Sequence, residues 1–266
     1  MVASDNAGAK SIADSDEGII AVVDLGDFAA QPSARYGHQP YGLRNLGCRR
    51  LFERMARRLS ECTLIDRVCV VGSNLPSHVL RGGLPDVEII ALPTMHVCER
   101  LAAAADRFFA NWTIHVPANR PFVDPDLVDR LVASCSDATC DYVGYDLRDR
   151  RGATLGLAGE IFHVDALRRL RRNADRLPVG RDDSILDWLQ EAPGAYHLKL
   201  IPLPSLLDRS DFRFAITSES DWDEAQLLCD STEGRESDWR ELAALVQRNP
   251  QMLASMARRN DDVVEC

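Results

Sequence analysis

The sequence predicts an α/β fold around a mainly parallel sheet, and three observations carry that reading. Short, nearly continuous apolar runs have the length and β-branched content of strands buried on both faces: Gly18 to Leu25 (GIIAVVDL), Arg67 to Ser73 (RVCVVGS), Val87 to Leu92 (VEIIAL) and Thr113 to Val116 (TIHV). Segments with apolar residues at helical spacing alternate with them through the first half of the chain, the order expected of crossover connections. Finally, Trp112 to Asp126 (WTIHVPANRPFVDPD) runs from a strand through a polar, proline-flanked corner into a helix start. Ala118 to Val123 is then a loop at the carboxyl end of a strand, where open α/β sheets bind ligands.

In chain order, Gly18 to Leu25 is the first central strand, and the Gly-, Pro- and aromatic-containing stretch Gly26 to Gly47 is a loop long enough to be functional. A helix is expected from Arg49 to Glu61, with Leu51, Phe52, Met55 and Leu59 inward. The connection holding Pro76 and Gly82-Gly83 looks too short for a long helix. Thr94 is read as the cap of a helix reaching Ala110, and Asp124 as the cap of the next, with Pro125 at its first position. Asp141 to Tyr145, Glu160 to Val164, His197 to Leu203 and Phe212 to Thr217 read as strands. Asp165 to Asn173, Asp183 to Glu191 and Glu219 to Cys229 read as helices, and a polar tail carries Trp239 to Val246 and Gln251 to Ala257. The division expected is a disordered leader over 1–17, one domain over 18–230 and a helical tail over 231–266.

With 266 residues, 45% of them hydrophobic, the chain can bury a full α/β core. The acidic, polar start lacks an apolar leader segment and no run approaches a membrane span, so a cytoplasmic location is expected. A net charge of −10 argues against general binding to nucleic acid or an anionic membrane. Arg49, Arg50, Arg54, Arg57 and Arg58 on one helix, and Arg168, Arg169, Arg171 and Arg172 on another, alternate with apolar stripes and read as solvated faces. The eight cysteines show no CxxC pair and read as core or surface thiols.

Six segments in a fixed order carry a resemblance: the first strand with its loop, LFERMARRL, IDRVCVVGS, NRPFVDPDLVD, GLAGEIFHVDAL and SDFRFAITSESDWDEA. Over Gly18 to Cys229 the chain resembles the cytidylyltransferases that make CMP-activated acidic sugars, in particular the spore coat polysaccharide biosynthesis branch. That resemblance implies a Rossmann-like three-layer sandwich of the nucleotide-diphosphosugar transferase type. It also implies transfer of a cytidylyl group from CTP to an acidic sugar, with Mg2+ neutralising the phosphates, and surface-polysaccharide biosynthesis as the setting. The partners implied are CTP or CMP and a sugar; a homodimer stays open.

Such chemistry rests on positioning and on charge stabilisation, and magnesium prefers anionic oxygen ligands. Here the sequence departs from the family at four places. The phosphate loop survives only as Ser33-Ala34-Arg35 and Gly37, with no lysine between Lys10 and Lys199. Asn119 stands where the family has its metal-binding aspartate. Thr217 replaces a late-strand aspartate, and Ala158 an acceptor-side one. Together these predict that the metal-dependent reaction is weakened or lost, and no catalytic residue or metal ligand is assigned. Arg35, Arg44, Asn119 and Arg120 are the candidate nucleotide-binding residues and Glu160 the candidate sugar-binding residue. Phe28, Tyr36 and Tyr41 are loop aromatics that either stack on a base or plug back onto the domain. Two alternatives are a non-catalytic nucleotide-, sugar- or partner-binding protein of the same fold, and a sugar transferase using Asp124-Pro125-Asp126 as a D-x-D motif; helix capping is by itself a sufficient explanation of Asp124 and the favoured one.

Overall fold

The computed structural model describes residues 18–27, 40–80, 84–93, 96–135, 140–147, 155–172, 185–190, 192 and 194–264. The expected leader (1–17), Phe28, Arg35, Tyr36 and Thr94 lie outside them. The strands are β1 (Ile19–Asp27), β2 (Asn45–Leu46), β3 (Arg49–Arg50), β4 (Arg67–Ser73), β5 (Glu88–Ala91), β6 (Trp112–Pro117), β7 (Tyr142–Tyr145), β8 (Glu160–His163) and β9 (Leu198–Ile201). The helices are α1 (Leu51–Leu59), α2 (Ser77–Leu80), α3 (Val97–Phe108), α4 (Pro125–Ser134), α5 (Val164–Arg171), α6 (Ile185–Gln190), α7 (Glu219–Ser231), α8 (Trp239–Gln247) and α9 (Pro250–Val264).

Seven strands form one sheet in the order β5-β4-β1-β6-β8-β7-β9, and β2 and β3 form a separate two-residue ladder. The four apolar runs of the first half sit side by side and parallel, as expected. β8 runs against both β6 and β7, while β7 and β9 are parallel, so the sheet is mainly but not wholly parallel. Period-two alternation sorts the strand side chains onto two faces. Ile19, Ala21 and Val23 of β1 join Trp112, Ile114 and Val116 of β6 beneath α1 and α4, whereas Ile20 and Val22 face α3 and α5. The result is three layers.

Two expectations about elements are corrected, and one about a helix face follows below. The helix expected from Thr94 begins at Val97, with His96 in the cap position. Phe212 to Thr217, expected as a last strand, lies outside the sheet: its Ile216 N–H donates to the Asn119 carbonyl at 2.8 Å. Its apolar residues reflect enclosure rather than pairing, since Phe212, Phe214, Ala215 and Ile216 are all buried, and its Arg213 is drawn to α7 and α9, donating to Asp221 at 2.7 Å and Asn260 at 3.0 Å.

The helices after residue 230 contribute Trp239, Leu242, Ala243, Val246, Met252 and Met256 to the same core as β1 and β6. Two arginines of α1 fasten this region, which corrects the reading of that helix face as solvated. Arg54 is buried against Glu236 at 2.9 Å, and Arg58 reaches Asp124 and the Ser237 carbonyl, both at 3.2 Å.

Close approach also demands one particular glycine. Gly156 adopts φ +69°, and a Cβ there would lie 2.4 Å from the Ala215 backbone nitrogen. Gly156→Ala is therefore expected to destabilise the fold by about 2–3 kcal/mol, read as a lowered urea midpoint at unchanged slope; an unchanged midpoint would remove this contact from the account.

Candidate functional site

The site forms where β1, β4 and β6 end together. Ala118 N–H donates to the Asp24 carbonyl at 2.9 Å, tying the corner after β6 to the end of β1. Gly42, in the described part of the 26–47 segment, packs so closely on the corner that an added Cβ would sit 3.1 Å from Ala118 Cβ. From the corner, Arg120 reaches across to the residues entering β8: its Nη1 donates to the Ala158 carbonyl. Its guanidinium and the Glu160 carboxylate interact electrostatically. The structure therefore brings Arg120 and Glu160 together, with Asn119 adjoining and its carbonyl committed to Ile216.

Behind them lies a polar cluster that the sequence reading did not single out. Asp24, on the face shared with Ile20 and Val22, takes two hydrogen bonds of 2.8 Å from buried Arg100 of α3, and a third from Gly26 N–H at 2.8 Å. His115 stands between two carboxylates, with Nε2 3.5 Å from Asp24 Oδ2 and Nδ1 3.9 Å from Glu160 Oε2. Tyr142 donates its hydroxyl to Glu160 Oε1 at 3.0 Å. Burial alone would raise the Asp24 carboxyl; Arg100 and His115 outweigh it and hold the group well below the usual range. Burial likewise opposes ionisation of Glu160, but His115 and Arg120 pull it below its ordinary value. For His115, burial pushes down and the two carboxylates push up harder, so the imidazole titrates above its ordinary value. A charge at a core-facing position in each of three otherwise apolar segments, with opposite signs, was the available sequence signal.

Other candidates are engaged elsewhere. Both terminal nitrogens of Arg44 bond Glu219 of α7, at 2.7 and 2.8 Å, and its guanidinium lies over the Tyr41 and Trp222 rings. Tyr41 stacks on Trp222 at 5.9 Å, which is plugging onto the domain. Arg35 lies outside the described residues. Asp124 is 1% exposed and accepts from Leu127 N–H, Trp239 N–H and Arg58, while Asp126 pairs with Arg240 at 3.1 Å. Capping and anchoring thus occupy the first carboxylate of the D-x-D reading.

Comparison with known proteins bears on this geometry. Residues 28–192, more than half of the chain, match the MobA-like NTP transferase domain. The chain belongs to that family. Among individual relatives, this MobA-like chain is similar to the spore coat polysaccharide biosynthesis protein SpsF of Bacillus subtilis, with 22% identity over 219 residues, 78% of this chain and 88% of that protein. In fold it resembles a cytidylyltransferase from Leptospira borgpetersenii, with TM-score 0.69 and 14% identity over 89% of this chain and 95% of the other. It also resembles a CMP:2-keto-3-deoxy-manno-octonic acid synthetase complexed with CTP, with TM-score 0.57 and 12% identity over 82% and 100%. The cytidylyltransferase resemblance read from the motifs is borne out, as is the Rossmann-like fold.

The donor set of this MobA-like domain does not fit the magnesium site that the resemblance implies. Asn119 offers an amide, Ala158 no side-chain donor, and Thr217 Oγ1 is held by Arg213 at 2.5 Å and Asp221 at 3.0 Å. Among the described residues, no group of three or more His, Cys, Asp and Glu side chains is arranged to hold a metal. An amide and a committed hydroxyl supply dipoles where a hard divalent cation favours full negative charges.

Proposed function

We propose that this MobA-like protein is a cytidylyltransferase-like component of surface-polysaccharide biosynthesis that binds a cytidine nucleotide and an acidic sugar at the corner after β6, with metal-dependent cytidylyl transfer weak or absent. What supports this reading is the donor set: Asn119, Ala158 and Thr217 stand at three positions where the resemblance implies carboxylates. What stays at the corner is one guanidinium, Arg120, with the hydrogen-bonding Asn119 amide and the Glu160–Tyr142 pair, groups that suit a phosphate oxygen and sugar hydroxyls. Losing one preorganised stabiliser costs an enzyme about a hundredfold to a thousandfold in rate, so losing several charged ones leaves little turnover. A cytoplasmic location belongs to this reading; no described helix is long and apolar enough to cross a membrane.

The test has two arms. In a thermal-shift screen of CTP, CMP, UTP, ATP and GTP with and without magnesium, the cytidine nucleotides are expected to stabilise the protein regardless of magnesium. A ligand at a hundred times its Kd contributes about 2.7 kcal/mol, a shift of roughly 5–11 °C for a domain of this size. In a pyrophosphate-release assay with CTP and acidic sugars, no turnover is expected, and the double change Asn119→Asp with Thr217→Asp restores it only in part. Turnover of about 1 per second or faster, abolished by a chelator, would overturn the weakened-activity reading.

A further inference from the structure

A cavity of about 440 Å³ lies between the start of β7, the end of β8 and α5, lined by Asp141, His163, Asp165, Arg168, Arg169 and Arg172. It is at the edge of the sheet opposite the corner: His163 pairs with Trp112, the first residue of β6, whereas Glu160 pairs with His115 towards the other end of that strand. Its volume is within the range of small-molecule sites. Four guanidinia stand together on α5 and its C-terminal cap, those of Arg168, Arg169, Arg171 and Arg172. Three carboxylates meet them. Asp106 and Asp165 hold Arg168 at 2.7 and 3.0 Å, Asp106 also meets Arg171 at 3.6 Å, and Asp141 pairs with Arg169. The Arg169 guanidinium lies 4.7 Å over the Tyr196 ring and donates to the Ala195 carbonyl at 3.1 Å.

Arg172 is the cation left over. It is exposed and makes no ion pair among the described residues; its side chain acts electrostatically on Tyr196. Standing four residues after Arg168 and three after Arg169, it completes a helix face of three like charges, an arrangement that is unfavourable unless an anion bridges it. Arg168 and Arg169 are already held by their partners, so the cost of ordering side chains around a ligand falls mainly on Arg172. A guanidinium carries five N–H donors, and the carboxylates on Arg168 engage its two terminal nitrogens through one short bond each. His163 adds a neutral donor: Asp165 N–H donates to its Nδ1 at 3.3 Å, which leaves the ring proton on Nε2, and the Trp112 ring packs edge-on against it at 4.9 Å. In a chain of net charge −10, a cavity with an uncompensated guanidinium is a local reversal of sign. Donors reaching the cavity from both α5 and the end of β8 suit a tetrahedral anion with several terminal oxygens, and a guanidinium fork matches that geometry.

We propose that this cavity binds a phosphate dianion, either free or as the phosphoryl group of a small monoester, on Arg172 with Arg168, Arg169 and His163 around it. The contacts are ion pairs and hydrogen bonds, and Asp141 and Asp165 keep their arginines. The site is separate from the corner and stands or falls independently of the cytidine nucleotide.

Calorimetric titration of the full chain at pH 7.5 and constant ionic strength tests this, with inorganic phosphate in one arm and glycerol 3-phosphate in the other. Binding of one anion per chain is expected. Arg172→Gln should weaken it by at least about tenfold, and Arg172→Lys, which keeps the charge and loses the fork, by less. Arg172 is exposed, so neither change removes a core contact. Tighter binding of the ester assigns the ligand to a phosphorylated small molecule and equal binding to the phosphate group alone; both support the cavity. Histidine side-chain NMR reads the location without an arginine variant: phosphate should shift the His163 imidazole, identified through His163→Gln, and leave His115 unmoved. No binding of either probe at about 10 mM, ten times a millimolar Kd, overturns the proposal. So does binding undiminished in Arg172→Gln, or a shift at His115 with none at His163, which would put the anion at the corner.

Discussion

Asp124→Ala is expected to lower the stability of the protein by about 3–5 kcal/mol, the cost of removing one partner of a buried ionic contact. The carboxylate serves three donors at once: Leu127 N–H at 3.3 Å, Trp239 N–H at 3.0 Å and Arg58 at 3.2 Å. Alanine would uncap α4 and strand a guanidinium whose side chain is only 13% exposed. It would also cut the polar link between the corner and α8. Burial raises the Asp124 carboxyl above its ordinary value, and the Trp239 N–H, Arg58 and the Leu127 N–H offset that only in part. Asn is as good a helix cap as Asp and keeps one acceptor, so Asp124→Asn should cost about 1–2 kcal/mol. Urea unfolding at neutral pH ranks the two variants. A loss below about 0.5 kcal/mol for alanine would show that water replaces the carboxylate and that the C-terminal helices are held by apolar packing alone.

Arg213→Met is expected to cost a similar amount, about 3–5 kcal/mol, because it leaves Asp221 buried with a weakened set of partners. Asp221 accepts from Arg213 at 2.7 Å, from Arg259 at 3.0 Å and from the Thr217 and Ser218 N–H groups at 2.9 Å each. Burial alone would raise its carboxyl; the Arg213 hydrogen bond and the Thr217 N–H outweigh burial and hold it down at about 2, against an ordinary 3.8. A carboxyl lowered in the folded state adds stability that is fully present above the ordinary value and disappears as pH falls through the folded one. The unchanged protein should therefore lose about 2 kcal/mol from this group between pH 4 and pH 2. Asp221→Asn should start less stable and show a shallower acid limb. Parallel acid limbs in the two proteins would mean that the carboxylate titrates normally and that this network is not what holds α7 and α9 to the 212–217 segment.

The sheet was legible in the sequence because burial on both faces writes itself as short apolar runs, and the alternation with helices leaves few ways to connect them. Ile19 to Val23, Val68 to Val71, Ile89 to Ile90 and Thr113 to Val116 carry that pattern, and Asp124-Pro125 marks a helix start through local chemistry alone. Phe212 to Thr217 shows the limit of such reading: an apolar run states that a segment is enclosed and not whether it pairs. The family was legible through six segments in register, and Asn119, Ala158 and Thr217 were read there as departures from the pattern the resemblance implies. What tertiary structure alone decided is which charges meet. Asp24, Arg100 and His115 are widely separated in the chain and lie in three different elements, and Arg58 is 66 residues from Asp124. Complementary charges at core positions are stable only when paired, and pairing across such separations is set by how α3 and α1 lie on the two faces of the sheet, a geometry no local pattern encodes.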